Sequence, residues 1–128
     1  RVRSSAASDV YKRQVLLLIM GTMEVAQMLS VWVTLSNETR EAARYGVAGV
    51  RDGDNNLVSE IQSYSKGRLA QTLDTSKLVV TPTVVGASGG TAGWVTVLEQ
   101  YPVTFATPMM QKVMGTVTVS ASAVMRAE

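Results

Sequence analysis

The segment that most constrains this chain is Val15–Leu35, VLLLIMGTMEVAQMLSVWVTL. It opens with six consecutive apolar residues and then takes on Thr22, Glu24, Gln27, Ser30 and Thr34. Twenty-one helical residues at about 1.5 Å each reach roughly 30 Å, the thickness of a bilayer core. The polar residues give the second half an interfacial character, so the expected span starts upstream of Val15 and ends around Met23 to Gln27. The core helix of a soluble protein would satisfy the same apolar run, and the run alone does not separate the two. A secretory signal fits less well, because no small-residue cleavage site follows.

Past the span the helical spacing persists. Val25, Met28, Leu29, Trp32, Val33 and Leu35 recur every three to four residues, and SNETREAARYG follows. Ala42 and Ala43 favour helix, and Glu38, Arg40, Glu41 and Arg44 offer opposite-charge pairs within it. Gly46 and Gly49 are expected to stop it, which makes residues 15–47 one helix, transmembrane then amphipathic. A head domain over residues 48–128 is expected to follow. RDGDNN at 51–56 reads as a turn in which Asp54 or Asn55 caps a second helix running to about Leu73. In that helix Leu57, Ile61, Tyr64, Arg68, Leu69 and Leu73 fall near one face, and Gly67 is a weak point.

From Lys77 the period becomes two. Leu78–Val85 is β-branched with Pro82 inside it, the mark of an edge strand or bulge. GASGGTAG at 86–93 suits a hairpin connection and lacks the Lys and strand-to-helix setting of a phosphate loop. Trp94–Glu99 continues toward Tyr101–Phe105, with Pro102 as an expected interruption. Thr116–Met125 alternates Val117, Val119, Ala121, Ala123 and Met125 with hydroxyl residues. The expected fold class is therefore α+β: a long N-terminal helix, a second helix and a small antiparallel sheet of about three strands. Between the last two strands TPMMQKVMG is a short helix or loop, and Met109, Met110 and Met114 form an adaptable apolar contact patch.

Composition closes off several chemistries. The 128 residues include no Cys and no His, which excludes disulfides, ordinary zinc sites and thiol or imidazole catalysis. The formal charge of +2 raises an anionic partner, but four of the 12 basic residues lie in the first 14. There Ser4–Gln14, SSAASDVYKRQ, reads like the in-frame translation of a transposase sequencing adapter, so residues 1–14 are expected to be non-native. Without them 8 basic and 9 acidic residues remain, a net charge of −1, and no nucleic-acid partner is expected. Asp52 and Asp54 resemble the start of a calcium loop, but no acidic residue occupies its later positions before Glu60. Trp94, Tyr101 and Phe105 read as sheet-core residues. Only Ser63, Ser65 and Lys66 lie close enough in sequence to suggest a nucleophile, and neither an enzyme nor a cofactor is expected.

Glu24 stands out as an ionisable group directly after an apolar run. It calls for a partner on a neighbouring subunit or a local amide, the alternative being a carboxylate at the headgroup boundary. Arg40 and Arg44 lie four apart and suit either a solvated face or a partner carboxylate or phospholipid headgroup.

Together these residues resemble the TadE-like family of tight-adherence pilus assembly proteins. The run LLLIMGTMEVAQMLSVWVTLSNETREAARYGV is similar to the family's apolar helix, its Gly-x-x-Glu step at Gly21 and Glu24, and its Ala/Arg-rich end. Arg40, Glu41, Ala42, Ala43, Arg44 and Tyr45 are the matching positions of that end. The C-terminal half is similar at Val95–Val103 and in TVTVSASAVMRAE, which closes on Met-Arg-x-Glu. The related TadF and TadG proteins have similar helices with larger or different periplasmic parts. The resemblance implies a pilin-like minor pseudopilin, cleaved by a prepilin peptidase and anchored in a bacterial inner membrane with its C-terminal domain in the periplasm. Its implied partners are other pilins and pseudopilins, the pilus assembly platform and membrane lipid, with Gly21, Glu24, Arg40, Arg44 and Tyr45 in helix packing. The family's leader and cleavage Gly would lie upstream of Val15. The alternative from residues alone is a single-span periplasmic sensor or adhesin-type binding module.

Overall fold

The computed structural model of the chain describes residues 2–52, 56–85 and 93–127. Helix α1 runs unbroken over Val2–Asp52, 51 residues, about 76 Å at the usual rise. It is followed by α2 (Leu57–Leu69), β1 (Val79–Val85), β2 (Gly93–Thr104), α3 (Pro108–Met114) and β3 (Thr116–Ala127). This is the α+β arrangement that the change of period from 3.6 to two implies.

The strands form one antiparallel meander in the order β1-β2-β3. Pro82 sits in β1 at the sheet edge, opposite Val97, where a missing N–H need not break a central ladder. The interruption expected at Pro102 is corrected: β2 runs unbroken through it, with Pro102 opposite Thr118. Alternation along β2 turns Val95, Val97 and Glu99 inward and Trp94 outward. Trp94 is thus half-exposed on the outer face, with the Arg126 guanidinium 5.7 Å from its ring centroid, and is not the core residue its type suggested. Phe105 is buried and Tyr101 packs against the core, as expected.

The core lies between the inner sheet face and the two long helices. From α1 it takes Leu35, Ala42 and Ala43; α2 supplies Leu57, Ile61 and Leu69; and Val80, Val95, Val97, Val119 and Ala121 come from the strands. The small residues of α1 let the other layers approach its backbone. Gly46 is buried, and a β-carbon there would lie 2.8 Å from both Ile61 Cδ1 and Val95 Cγ1. The expected stops at Gly46 and Gly49 are therefore corrected: α1 passes through both, and they serve close packing instead. The α2 helix also ends earlier than expected, at Leu69, and its N-cap is Asn56. Asp54, Asn55 and most of the 86–93 connection lie outside the described residues, as do the side chains of Asp52 and Glu128. Side chains 8–20 of α1 are all exposed, so residues 8–14 of the segment set aside as adapter extend the helix without joining the core.

Candidate functional site

Sequence reasoning singles out the place where the apolar half of α1 meets the head. Glu24 is the first buried residue among the described side chains of α1, and only 5% of it is exposed. Its Oε1 accepts the backbone N–H of Thr107 at 2.8 Å and the Thr107 hydroxyl at shorter range. Its other oxygen, Oε2, is buried without a hydrogen-bond partner among the described residues. Thr107 is the N-cap of α3, so the carboxylate satisfies an amide that the short helix leaves open. The Glu24 partner found here is a backbone amide of the same chain, 83 residues further on.

The rest of the junction is similarly tied. Gln111 Nε2 donates to the Phe105 carbonyl at 2.8 Å, and Gly115, at φ +64°, closes α3 and turns the chain into β3. The methionines divide: Met110 is half-buried and lies over Leu17, Gly21 and Val25, whereas Met109 and Met114 are exposed. Gly21 has open space where a β-carbon would be, and grooves on either side of Met110 run along it.

The other candidates lie further along α1. Arg40 and Arg44 are exposed, and Glu38, expected to pair within its own helix, pairs instead with Arg68 of α2. Arg68 Nε lies 2.7 Å from Glu38 Oε2 and Nη2 3.3 Å from Oε1, a two-pronged contact that raises the guanidinium pKa further. Arg68 also covers the Tyr64 ring, which stacks on Tyr45 with centroids 4.5 Å apart, and the Tyr45 hydroxyl donates to Glu60. Tyr45 therefore belongs to a bridge between α1 and α2. The structure does not bring Arg40, Arg44 and Tyr45 together with Glu24, because at least 16 residues of helix, about 24 Å, separate them.

No family model, curated protein or solved structure matches the chain.

One polar centre was missed by residue type. Glu99 of β2 is fully buried between Thr39 of α1 and Ser65 of α2. Ser65 Oγ donates to Oε1 at 2.5 Å, and Thr39 Oγ1 lies 3.1 Å from Oε2. Thr39 Oγ1 also lies 2.6 Å from the Leu35 carbonyl, so its one hydroxyl proton faces two acceptors. Burial pushes the Glu99 carboxyl pKa up, past the opposing effect of the Ser65 and Thr39 hydroxyls, and the neighbouring Glu38 carboxylate adds to the rise. A buried carboxyl with two hydroxyl partners thus joins three elements. Its signal was in the sequence: Glu99 is in phase with Val95 and Val97. Ser65, once weighed as a nucleophile, is committed to this centre and 1% exposed, while Ser63 Oγ donates to the Ser59 carbonyl.

Proposed function

We propose that this protein is a membrane-anchored minor pseudopilin of the TadE-like kind, which assists assembly of a tight-adherence (Flp-type) pilus. In this reading the N-terminal half of α1 sits in a bacterial inner membrane and the α+β head lies in the periplasm. Prepilin peptidase processes the precursor, and the partners are other pilins and the assembly platform.

The observation that carries the reading is the division of labour along α1. One helix is long and apolar enough to cross a membrane, with 6% of its most apolar stretch buried, and the same helix then becomes the spine of the head. A core helix of a soluble protein would bury that stretch instead.

A second feature supports lateral assembly. Val25, Leu29, Trp32 and Val33 form an exposed apolar stripe at helical spacing, beyond Glu24 and on a side of α1 that the head leaves open. Such a stripe gains by packing along the helix of another subunit, and Gly21 permits a close approach just before it. No substrate is turned over in this reading; the head selects which subunits join.

Reading the coding sequence through the junction at Val15 in adapter-free DNA tests the proposal. A short basic leader ending in Gly, then a Glu and a continuous apolar run, is the expected result. A folded cytoplasmic domain or a cleavable secretory signal there would favour the sensor or adhesin-type module instead.

A further inference from the structure

We propose that α3 is a second membrane contact, in which Met109, Val113 and Met114 enter the headgroup and acyl boundary of the bilayer beside the emerging α1. The inference rests on the anchoring of α1 in a membrane and adds to it a seat for the head on the lipid surface.

The composition of α3 is at odds with its exposure. Five of the seven residues of α3, PMMQKVM, are apolar, yet none is buried. Met109 is 60% exposed, Val113 74% and Met114 53%. Met109 with Val113 and Met110 with Met114 are i,i+4 pairs, so the four make one continuous apolar face, of which Met110 is the least exposed. Gln111 and Lys112 lie on the other side, and α3 contains no acidic residue.

α3 also lies level with the apolar run of α1. Met109, Met110 and Val113 share a groove with Leu17, Met20 and Gly21, all on the membrane side of Glu24. The apolar face of α3 is thus continuous with the exposed apolar surface of Leu16, Leu17, Ile19 and Met20. If lipid surrounds those residues of α1, it meets α3 at the same level.

The polar groups that bound α3 are partly tied within the chain, which lowers the cost of bringing it toward the acyl region, where no water would replace those bonds. The Thr107 amide is bonded by Glu24, the Phe105 carbonyl by Gln111 Nε2, and the Gly115 amide donates to the Gln111 carbonyl at 3.0 Å. The lone charge, Lys112, has a long stem and suits an anionic headgroup. Short apolar faces of this kind settle about 5–10 Å into the headgroup region.

Because the chain has no Cys, single-cysteine labelling of the full protein is unambiguous. Leu17→Cys, Met109→Cys, Val113→Cys and Thr83→Cys all alter exposed positions, the last on the outer face of the sheet. Each is labelled with a nitroxide and reconstituted in 3:1 phosphatidylcholine/phosphatidylglycerol vesicles, and collision with oxygen is compared with collision with a water-soluble nickel chelate. The expected oxygen-to-nickel ratio at Met109 and Val113 is similar to that at Leu17 and well above that at Thr83. Ratios at Met109 and Val113 equal to that at Thr83, with Leu17 still in lipid, overturn the proposal and leave the anchor intact. An aqueous Leu17 overturns the anchor and the proposal with it. Labels on α3 shielded from both reagents, with spin–spin broadening that grows with the protein-to-lipid ratio, assign the surface to a second copy and also overturn the proposal.

Discussion

Replacing Gly46 by alanine sets two known effects against each other. In a helix interior Gly→Ala normally stabilises by about 1 kcal/mol. At Gly46 the new methyl would sit 2.8 Å from Ile61 Cδ1 and Val95 Cγ1, against the roughly 3.5–4.0 Å of an ordinary carbon contact. The Ile61 terminus has a torsion with which to swing away, but Val95 is β-branched, on the central strand and fully buried, so its methyl has little freedom. Overpacking of this kind costs about 1–3 kcal/mol, which leaves a net loss of roughly 0–2 kcal/mol after the helix gain. Gly67→Ala in α2 supplies the control, since its methyl meets open space. The helix term is common to both variants, so their difference isolates the packing cost of about 1–3 kcal/mol. Thermal unfolding of the full chain in a mild detergent, followed by tryptophan fluorescence, should place Gly46→Ala several degrees below Gly67→Ala. Equal melting temperatures, or a higher one for Gly46→Ala, would refute the close approach of α1, α2 and β2.

Glu99 carries the pH dependence. Its folded pKa is raised, so its contribution is complete below the ordinary value of 4.5 and is lost as pH rises through the folded pKa. Glu99→Gln keeps an acceptor for Ser65 and a donor toward Thr39 and does not titrate. The melting temperature of the wild type minus that of Glu99→Gln should therefore fall as pH rises from 4.5, and a flat or rising difference contradicts the raised pKa. Glu99→Ala strands the Ser65 hydroxyl and should cost about 1–3 kcal/mol in the same assay at low pH. Glu24→Ala removes the tie to Thr107 and is expected to leave the head folded while reducing pilus assembly in a complemented strain; normal piliation would remove the role given to Glu24. Trp32→Glu places a charge in the exposed stripe of α1, so it should leave monomer melting within about 0.5 kcal/mol and lower piliation, and unchanged piliation would exclude the stripe from subunit packing.

How far the sequence predicts the molecule depends on the kind of signal. Periodicity was dependable. The alternation in Thr116–Met125 and the β-branched Leu78–Val85 both became strands, and Pro82 correctly marked the sheet edge. Residue type was less so. Gly46 and Gly49 carry the composition of a helix stop, but the same composition serves a helix that another element must approach closely, and only the packed neighbours Ile61, Val95 and Leu57 distinguish the two. Trp94 was assigned to the core by its size, although its phase in β2 places it on the outer face. Glu99 was overlooked for the opposite reason, since its charge hid a phase shared with Val95 and Val97. Long-range pairing was not legible: Arg68 is 30 residues from Glu38, and Thr107 is 83 from Glu24. Local spacing ranks only neighbours within a turn or two, so Glu38 was given partners on its own helix.

The central claim, a membrane-anchored subunit acting in pilus assembly, is met most directly by deleting the intact gene from a bacterium that carries it and counting surface pili by electron microscopy. The account predicts few or no pili in the deletion strain, recovery on complementation with the wild-type gene, and the protein in the inner-membrane fraction of the complemented cells. Normal pilus numbers in the deletion strain, with the protein recovered in the soluble fraction of wild-type cells, would contradict it.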